Sequence, residues 1–340
     1  MDFELSEDEV ALAEGMRRLC AGRFPLDKIR ATEGQRVVID GSGWSELADA
    51  GVFSLRLPED GGGLGLPMAA AAVVFEELGR ALVPGPILAS HLAAGVVEGA
   101  GAGKVMVGAL HRPGGTGRAG VPGTGTGIGT GAAGPIVVEH LGSLGALVVV
   151  SDEGLSLVDP ATIDAQPVER SLDPLTPVWR VEHLPEGERI GGPEESARWR
   201  RDAEVLGGAM LVGLAGATVD LAVAYAKGRE QFGKPIGSFQ AVKHLCADML
   251  VRAEVARAAV HAAAVTIDQP DVGDEWRAAA GAGLLAVEAA LANGKTCIQV
   301  HGGMGFTWEV PAHLYLMRAR VLAGELEATG TLAEIVAERY

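Results

Sequence analysis

Apolar positions recur at helical spacing at both ends of the 340-residue chain and lose that spacing in the middle. Ser6 and Glu9 in SEDE offer a capping box, and behind them Val10, Ala13, Met16, Leu19 and Cys20 lie on one helical face. WSELADAGVFSL and MAAAAVVFEELGRAL repeat the pattern, with Gly and Pro clusters as punctuation, so residues 1–105 are expected to form a helical domain. Residues 106–190 differ. The stretch 114–135 is nearly half glycine and offers almost nothing for a core, which predicts a loop or disorder. The short β-branched runs ALVVVSD, LSLVDP and PVWRVEHLP follow it and predict a small antiparallel β unit. From 191 to 340 the helical period returns. Ser238 is a capping candidate, and Phe239, Val242, Cys246, Met249, Ala253, Ala256 and Val260 form a long seam behind it. AGLLAVEAALANGKTCIQV adds another helix, and the many alanines allow the close approach of an antiparallel bundle. The fold class is α+β and mostly α, without βαβ alternation.

The net charge of −16 argues against a surface that tracks nucleic-acid phosphates. Three scattered cysteines give neither a disulfide framework nor a zinc site, which fits a reducing compartment. MDFELSEDEV lacks the basic start of a signal peptide, and no uninterrupted apolar run reaches the length of a membrane span. The expectation is a soluble, cytoplasmic protein that binds neither membrane nor nucleic acid.

Some motifs are weak. Gly129, Gly131 and Gly134 match GxGxxG but lack the strand and helix that make a dinucleotide site, and PEDGGGLGL lacks the Lys-Ser/Thr of a phosphate loop. Others carry more chemistry. In REQFGKPIGSFQ, Arg229 ends a helical run and offers a fork of donors to a phosphate or carboxylate. Phe232 either packs on a flat ligand or plugs the turn. In QVHGGMGFTWEVP, Gln299 leads into Gly302, Gly303 and Gly305, where backbone can approach a ligand. His244 and His301 read as packing or hydrogen-bonding residues, Trp308 as a packing residue and Asp248 as part of a helix-face ion pair.

Taken together, RxQFGKPIGSFQ and, about sixty residues on, QVHGGMGFTWExP resemble the acyl-CoA dehydrogenase family, as does LPEDGGGLGLPMAAAAVVFEELGRAL near the start. The resemblance covers both helical regions and little of the middle. It implies an N-terminal helical domain, a middle β domain and a C-terminal four-helix bundle, with FAD held at a subunit interface. By position, Arg229 and Gln231 would meet the pyrophosphate, Phe232 would pack near the cofactor and Gln240 would belong to the same platform. Gln299, Gly302 and Gly303 would contact the adenosine half. In the family these motifs serve a flavin held mainly by the neighbouring subunit.

The departures fall in the half-site that grips a chain's own flavin. The family's Thr-Glu-Pro and Gly-Ser-Asp segment, and its later Trp and Thr beside the isoalloxazine, have no counterpart in 106–190. The family's base is a glutamate that removes the α proton of an acyl-CoA thioester while flavin N5 takes the β hydride. Ungapped counting from Gly302 and Gly303 puts that position at Leu326, whereas anchoring on Met317 and Arg318 puts it at Glu327. The alternative Glu-Arg location matches Ala203 and Glu204, where Glu204 reads as a solvated acid at a helix start. Glu325 and Glu327, on either side of a leucine, otherwise read as surface groups.

Three readings follow. The favoured one is a subunit of a heteromeric acyl-CoA dehydrogenase that completes the flavin site of a second dehydrogenase-like subunit, in a heterotetramer acting on a bulky acyl-CoA such as a steroid intermediate. The others are a self-sufficient homomer with Glu327 as base, and a flavin-free scaffold of the same fold. The acyl group and the electron acceptor are not specified by the sequence.

Overall fold

A computed structural model describes residues 5–112, 136–328 and 332–339. The glycine-rich stretch, with its GxGxxG match, lies outside the described residues. The first layer comprises α1 (Glu7–Arg23), α2 (Leu26–Arg30), α3 (Gly41–Asp49), α4 (Met68–Arg80) and α5 (Ile87–Leu92). The Ser6–Glu9 capping box forms as the sequence predicts: Ser6 N–H donates to the Glu9 carboxylate at 2.8 Å, and Glu9 N–H donates to Ser6 Oγ at 3.2 Å. PEDGGGLGL is a tight turn, with Gly62 and Gly65 at positive φ.

The strands are β1 (Val107–His111), β2 (Ile136–Glu139), β3 (Ala146–Ser151), β4 (Gly154–Val158), β5 (Ala165–Pro167), β6 (Val178–Val181) and β7 (Glu188–Gly191). They form one sheet in the order β1-β3-β4-β7 and another in the order β2-β6-β5. The expected antiparallel unit is corrected at one pair, because β1 and β3 run parallel, Val107 opposite Ala146. Parallel strands cannot be joined by a tight hairpin, and β2 lies between these two in chain order.

The bundle consists of α6 (Pro193–Gly228), α7 (Gln240–Asp268), α8 (Glu275–His301) and α9 (Ala312–Ala328), followed by α10 (Leu332–Glu338). A two-stranded hairpin, β8 (Glu230–Gln231) with β9 (Lys234–Pro235), joins α6 to α7. By length and composition α6 is apolar enough to cross a membrane, unlike any segment expected from the sequence, yet 89% of its most apolar window is buried within the protein. It is the bundle's central helix, apolar all round because its neighbours cover it. Ser238 does not cap α7: it closes a 3₁₀ turn, and Phe239 takes the cap position without a side-chain bond.

One continuous core joins the first layer to the bundle, from Met16 and Phe75 through Leu206 and Met210 to Val260 and Leu326. Two smaller cores lie at the sheets: one is shared with Ala93, Val97, Trp199 and Ala203 of the helical layers, and the other lies between the two sheets. At the crossing of α4 and α6 a methyl on Gly79 would overlap the Met210 backbone, and one on Gly213 would overlap that of Glu76. Asp268, at the end of α7, caps α4 by accepting from Met68 N–H at 2.8 Å and Ala69 N–H at 3.0 Å.

Candidate functional site

The ends of α6 and α8 meet. Tyr225, one turn before Arg229, stacks on His301, one residue before Gly302, with ring centroids 4.2 Å apart. His301 is buried and its Nδ1 lies 2.8 Å from the Cys297 carbonyl, so this imidazole is a structural pin between the two motifs. Around it Arg229, Gln231, Phe232, Gln240, Gln299, Gly302 and Gly303 are all exposed. Among the described residues the Arg229 side chain has no hydrogen-bond or ion-pair partner, so its donors remain available to an anion. A methyl at Gly302 or Gly303 would meet nothing within 4 Å. Gly302 is held at φ 59, which favours glycine, whereas Gly303 has neither positive φ nor a crowding neighbour. Nothing within this chain therefore requires glycine at 303.

The hairpin tip is more unusual. Phe232 and Gly233 both have positive φ (52 and 75), as a two-residue loop of the type I′ class requires. A phenylalanine is costly there, and its ring is 91% exposed, touching Phe239 edge-on at 6.2 Å. Phe232 therefore does not plug the turn. Phe306 (83% exposed) and Trp308 (57%) project from the segment after α8, so Trp308 is no core residue, although its ring stands perpendicular to that of His313. His244 and Asp248 are exposed, and Asp248 has no ion pair among the described residues.

A second constellation, not apparent from the sequence, lies in a cleft between β2 and α9. Glu139 ends β2 and faces Glu325 of α9 within hydrogen-bonding contact. Burial, then the facing Glu325, pushes Glu139 well above the ordinary carboxylate range, and burial raises Glu325 as well. Two ionised carboxylates would repel at this separation, so the pair retains a proton. Beside them His140, at φ 55, is held down to about 3 by burial, then by Arg318, and burial holds His111 down to about 4; both rings are neutral. Arg318 is buried and bound through Nε to Asp173 at 2.5 Å, with further bonds to the carbonyls of Val83 and Leu175. The cleft's free volume is about 70 Å³. Ligand pockets are typically about 300–1,000 Å³, so this space suits a few waters rather than a tricyclic ring.

The candidate base positions differ in their surroundings. Leu326 is buried and packs on Gly207, while the Glu327 side chain lies outside the described residues. Ala203 lines the cleft. Glu204 is buried well inside α6, not a solvated acid at its start, because the helix begins at Pro193. Glu325 is half-buried at the cleft rather than fully on the surface.

The platform fits the phosphate-bearing part of FAD, with an unpaired guanidinium and open glycine backbone. The cleft does not fit its ring system, being too small and faced by two carboxyls.

Comparisons with known proteins agree with this architecture. The profile of the acyl-CoA dehydrogenase N-terminal domain matches residues 6–103, and that of the C-terminal domain matches residues 205–339. Acyl-CoA dehydrogenase FadE34 of Mycobacterium tuberculosis is 41% identical over 84% of this chain, which spans only 40% of that protein. Acyl-CoA dehydrogenase IpdE2 of Mycolicibacterium smegmatis is 34% identical over 93% of each chain. Among solved structures, the ChsE4-ChsE5 complex from M. tuberculosis superposes with a TM-score of 0.79 at 24% identity, covering 99% of this chain and 98% of the other. A variant of the Tcur3481-Tcur3483 steroid acyl-CoA dehydrogenase gives 0.77, also at 24%, covering 98% of each chain. With both terminal domains matched and a relative of near-equal length above 30% identity, this chain belongs to the acyl-CoA dehydrogenase family of FAD-dependent enzymes.

Proposed function

We propose that this chain is the subunit of a heteromeric acyl-CoA dehydrogenase that completes a partner's flavin site while leaving its own cleft closed. The observation that carries the reading is the contrast between the two half-sites. Arg229, Phe232, Gln299 and Gly303 are exposed on the two segments that the Tyr225–His301 stack joins, whereas the cleft between β2 and α9 holds about 70 Å³ and a facing carboxyl pair. FAD supplies hydride acceptance when bound. This chain's residues would do the rest of the holding: Arg229 neutralises pyrophosphate charge, the backbone at Gly302 and Gly303 admits the adenosine half, and Phe232 excludes water from the contact. The partner would supply the base and the ring pocket, which makes Glu327 dispensable.

The lengths of the relatives support the same assembly. FadE34 extends beyond its matched part by more than the length of this chain, room enough for a second unit of similar size. Two neighbours whose names pair two chains, one of them a steroid acyl-CoA dehydrogenase, favour a heteromer acting on a bulky, steroid-type acyl-CoA; a cytoplasmic heterotetramer is the form we propose for it. The test is flavin stoichiometry and oligomer mass, for the chain alone and co-expressed with a candidate dehydrogenase-like partner. Flavin and activity confined to the mixed assembly, at half a flavin per chain and unaffected by Glu327→Gln, is the expected result. A flavin-loaded, active homomer that loses activity in Glu327→Gln would overturn it.

A further inference from the structure

A groove of about 400 Å³ crosses the outer side of the small sheet and shares no lining residue with the cleft. One wall is Gln35 and Arg36, after α2; another is the loop from Val168 to Trp179; Trp308 and Met317 close the third side. Each wall is pinned from behind. Gly34 N–H donates to the Pro174 carbonyl at 2.8 Å, and the fully buried Asp173 accepts from Leu175 N–H at 2.9 Å, Thr176 Oγ1 at 2.8 Å and Arg318. The Arg30 guanidinium donates to the carbonyls of Trp308 and Glu309. The groove is therefore preformed, and its volume falls in the range of small-molecule sites.

Its charge runs against the rest of the chain. On this strongly acidic protein many arginines are tied to carboxylates, as in Arg17–Glu77, Arg56–Asp202, Arg80–Asp220 and Arg257–Glu76. Arg36 and Arg170 both line the groove and have no partner among the described residues. Glu169 lines it too, without approaching either guanidinium to ion-pair distance. The same groove is lined by the exposed apolar side chains of Leu172 and Val168 and by the Trp308 ring. Two free guanidinium forks beside an exposed indole fit a planar aromatic group that carries phosphate.

We propose that this groove binds the adenosine diphosphate group of a nucleotide, its phosphates taken by Arg36 and Arg170 and its base laid on Trp308. Coenzyme A thioesters and FAD are two cofactors that carry that group. Titration calorimetry on the full chain with ADP, coenzyme A, FAD and inorganic pyrophosphate, alongside tryptophan fluorescence, tests the assignment. ADP should bind saturably and quench fluorescence, at least tenfold more weakly in the Arg36→Ala/Arg170→Ala double variant, and Trp308→Leu should abolish the quench. Pyrophosphate should bind at least tenfold more weakly than ADP. Absence of saturable ADP binding, or ADP binding unchanged in the double variant, overturns the proposal. Pyrophosphate matching ADP overturns the role of the base. Whichever of coenzyme A and FAD weakens in the double variant is the source of the group, and FAD binding lost only in Arg229→Ala belongs to the platform instead. All three substituted residues are exposed, and an unchanged unfolding midpoint in each variant separates loss of binding from loss of fold. Because groove and platform use different residues, failure here leaves the flavin reading intact.

Discussion

Phe232→Asn should move folding and assembly in opposite directions. In the isolated chain the phenylalanine sits at φ 52 with 91% of its surface in water, so it contributes strain and almost no packing. A left-handed conformation costs an ordinary side chain about 1–2 kcal/mol, and asparagine tolerates it far better. The substitution should leave the lone chain equally stable or up to ~1 kcal/mol more stable, read from the midpoint of denaturant unfolding. In the assembly the ring would be covered, and full burial of such a side chain is worth about 1.5–3 kcal/mol. The same change should therefore weaken subunit association by roughly ten- to a hundredfold, measured by sedimentation or mass photometry over a dilution series. A variant that is less stable alone yet assembles normally would refute the reasoning, because Phe232 would then be supporting its own hairpin.

The carboxyl pair sets a pH dependence. Glu139 and Glu325 titrate above their unfolded value of about 4.5, so between that pH and their raised values the folded state binds more protons than the unfolded one. Stability should fall as pH rises through this window, with Arg318, Asp173 and the neutral His111 and His140 as the surrounding groups, and Glu139→Gln should flatten the decline. A slope unchanged in that variant would place its origin elsewhere. Arg229→Ala should weaken flavin retention in the assembly by about 2 kcal/mol, the scale of a charge-assisted contact, seen as faster FAD loss on dilution. Asp173→Ala leaves Arg318 buried without its counter-ion and should cost about 3–5 kcal/mol of stability; a loss under 1 kcal/mol would mean that the Val83 and Leu175 carbonyls suffice.

What could be read from the sequence was local. Arg229, Gln231 and Phe232 interrupt an apolar period with turn chemistry, and Gln299, Gly302 and Gly303 do the same, so both segments could be picked out by eye. That they share one surface depends on the Tyr225–His301 stack, a contact between helix ends that periodicity does not encode. Glu139 and Glu325 were invisible for the same reason: one ends a strand, the other lies far along the chain on a helix, and each in isolation resembles a surface acid. The parallel β1–β3 pair escaped because strand patterns report burial and not direction. Ser238 failed as a cap because 3₁₀ and α turns compete for the same few residues.

The crossing of α4 with α6 has a consequence for how this chain can change. Gly79 and Gly213 let two backbones touch, and Asp268 fastens the end of α7 to the start of α4, so segments separated by the whole β region form one cooperative body. The sheets share one small core with each other and another with the segment after α5 and the start of α6, and neither cluster includes the seam glycines. Such an arrangement lets the β region be pared back or rebuilt over generations while the surface that meets a neighbour stays in register.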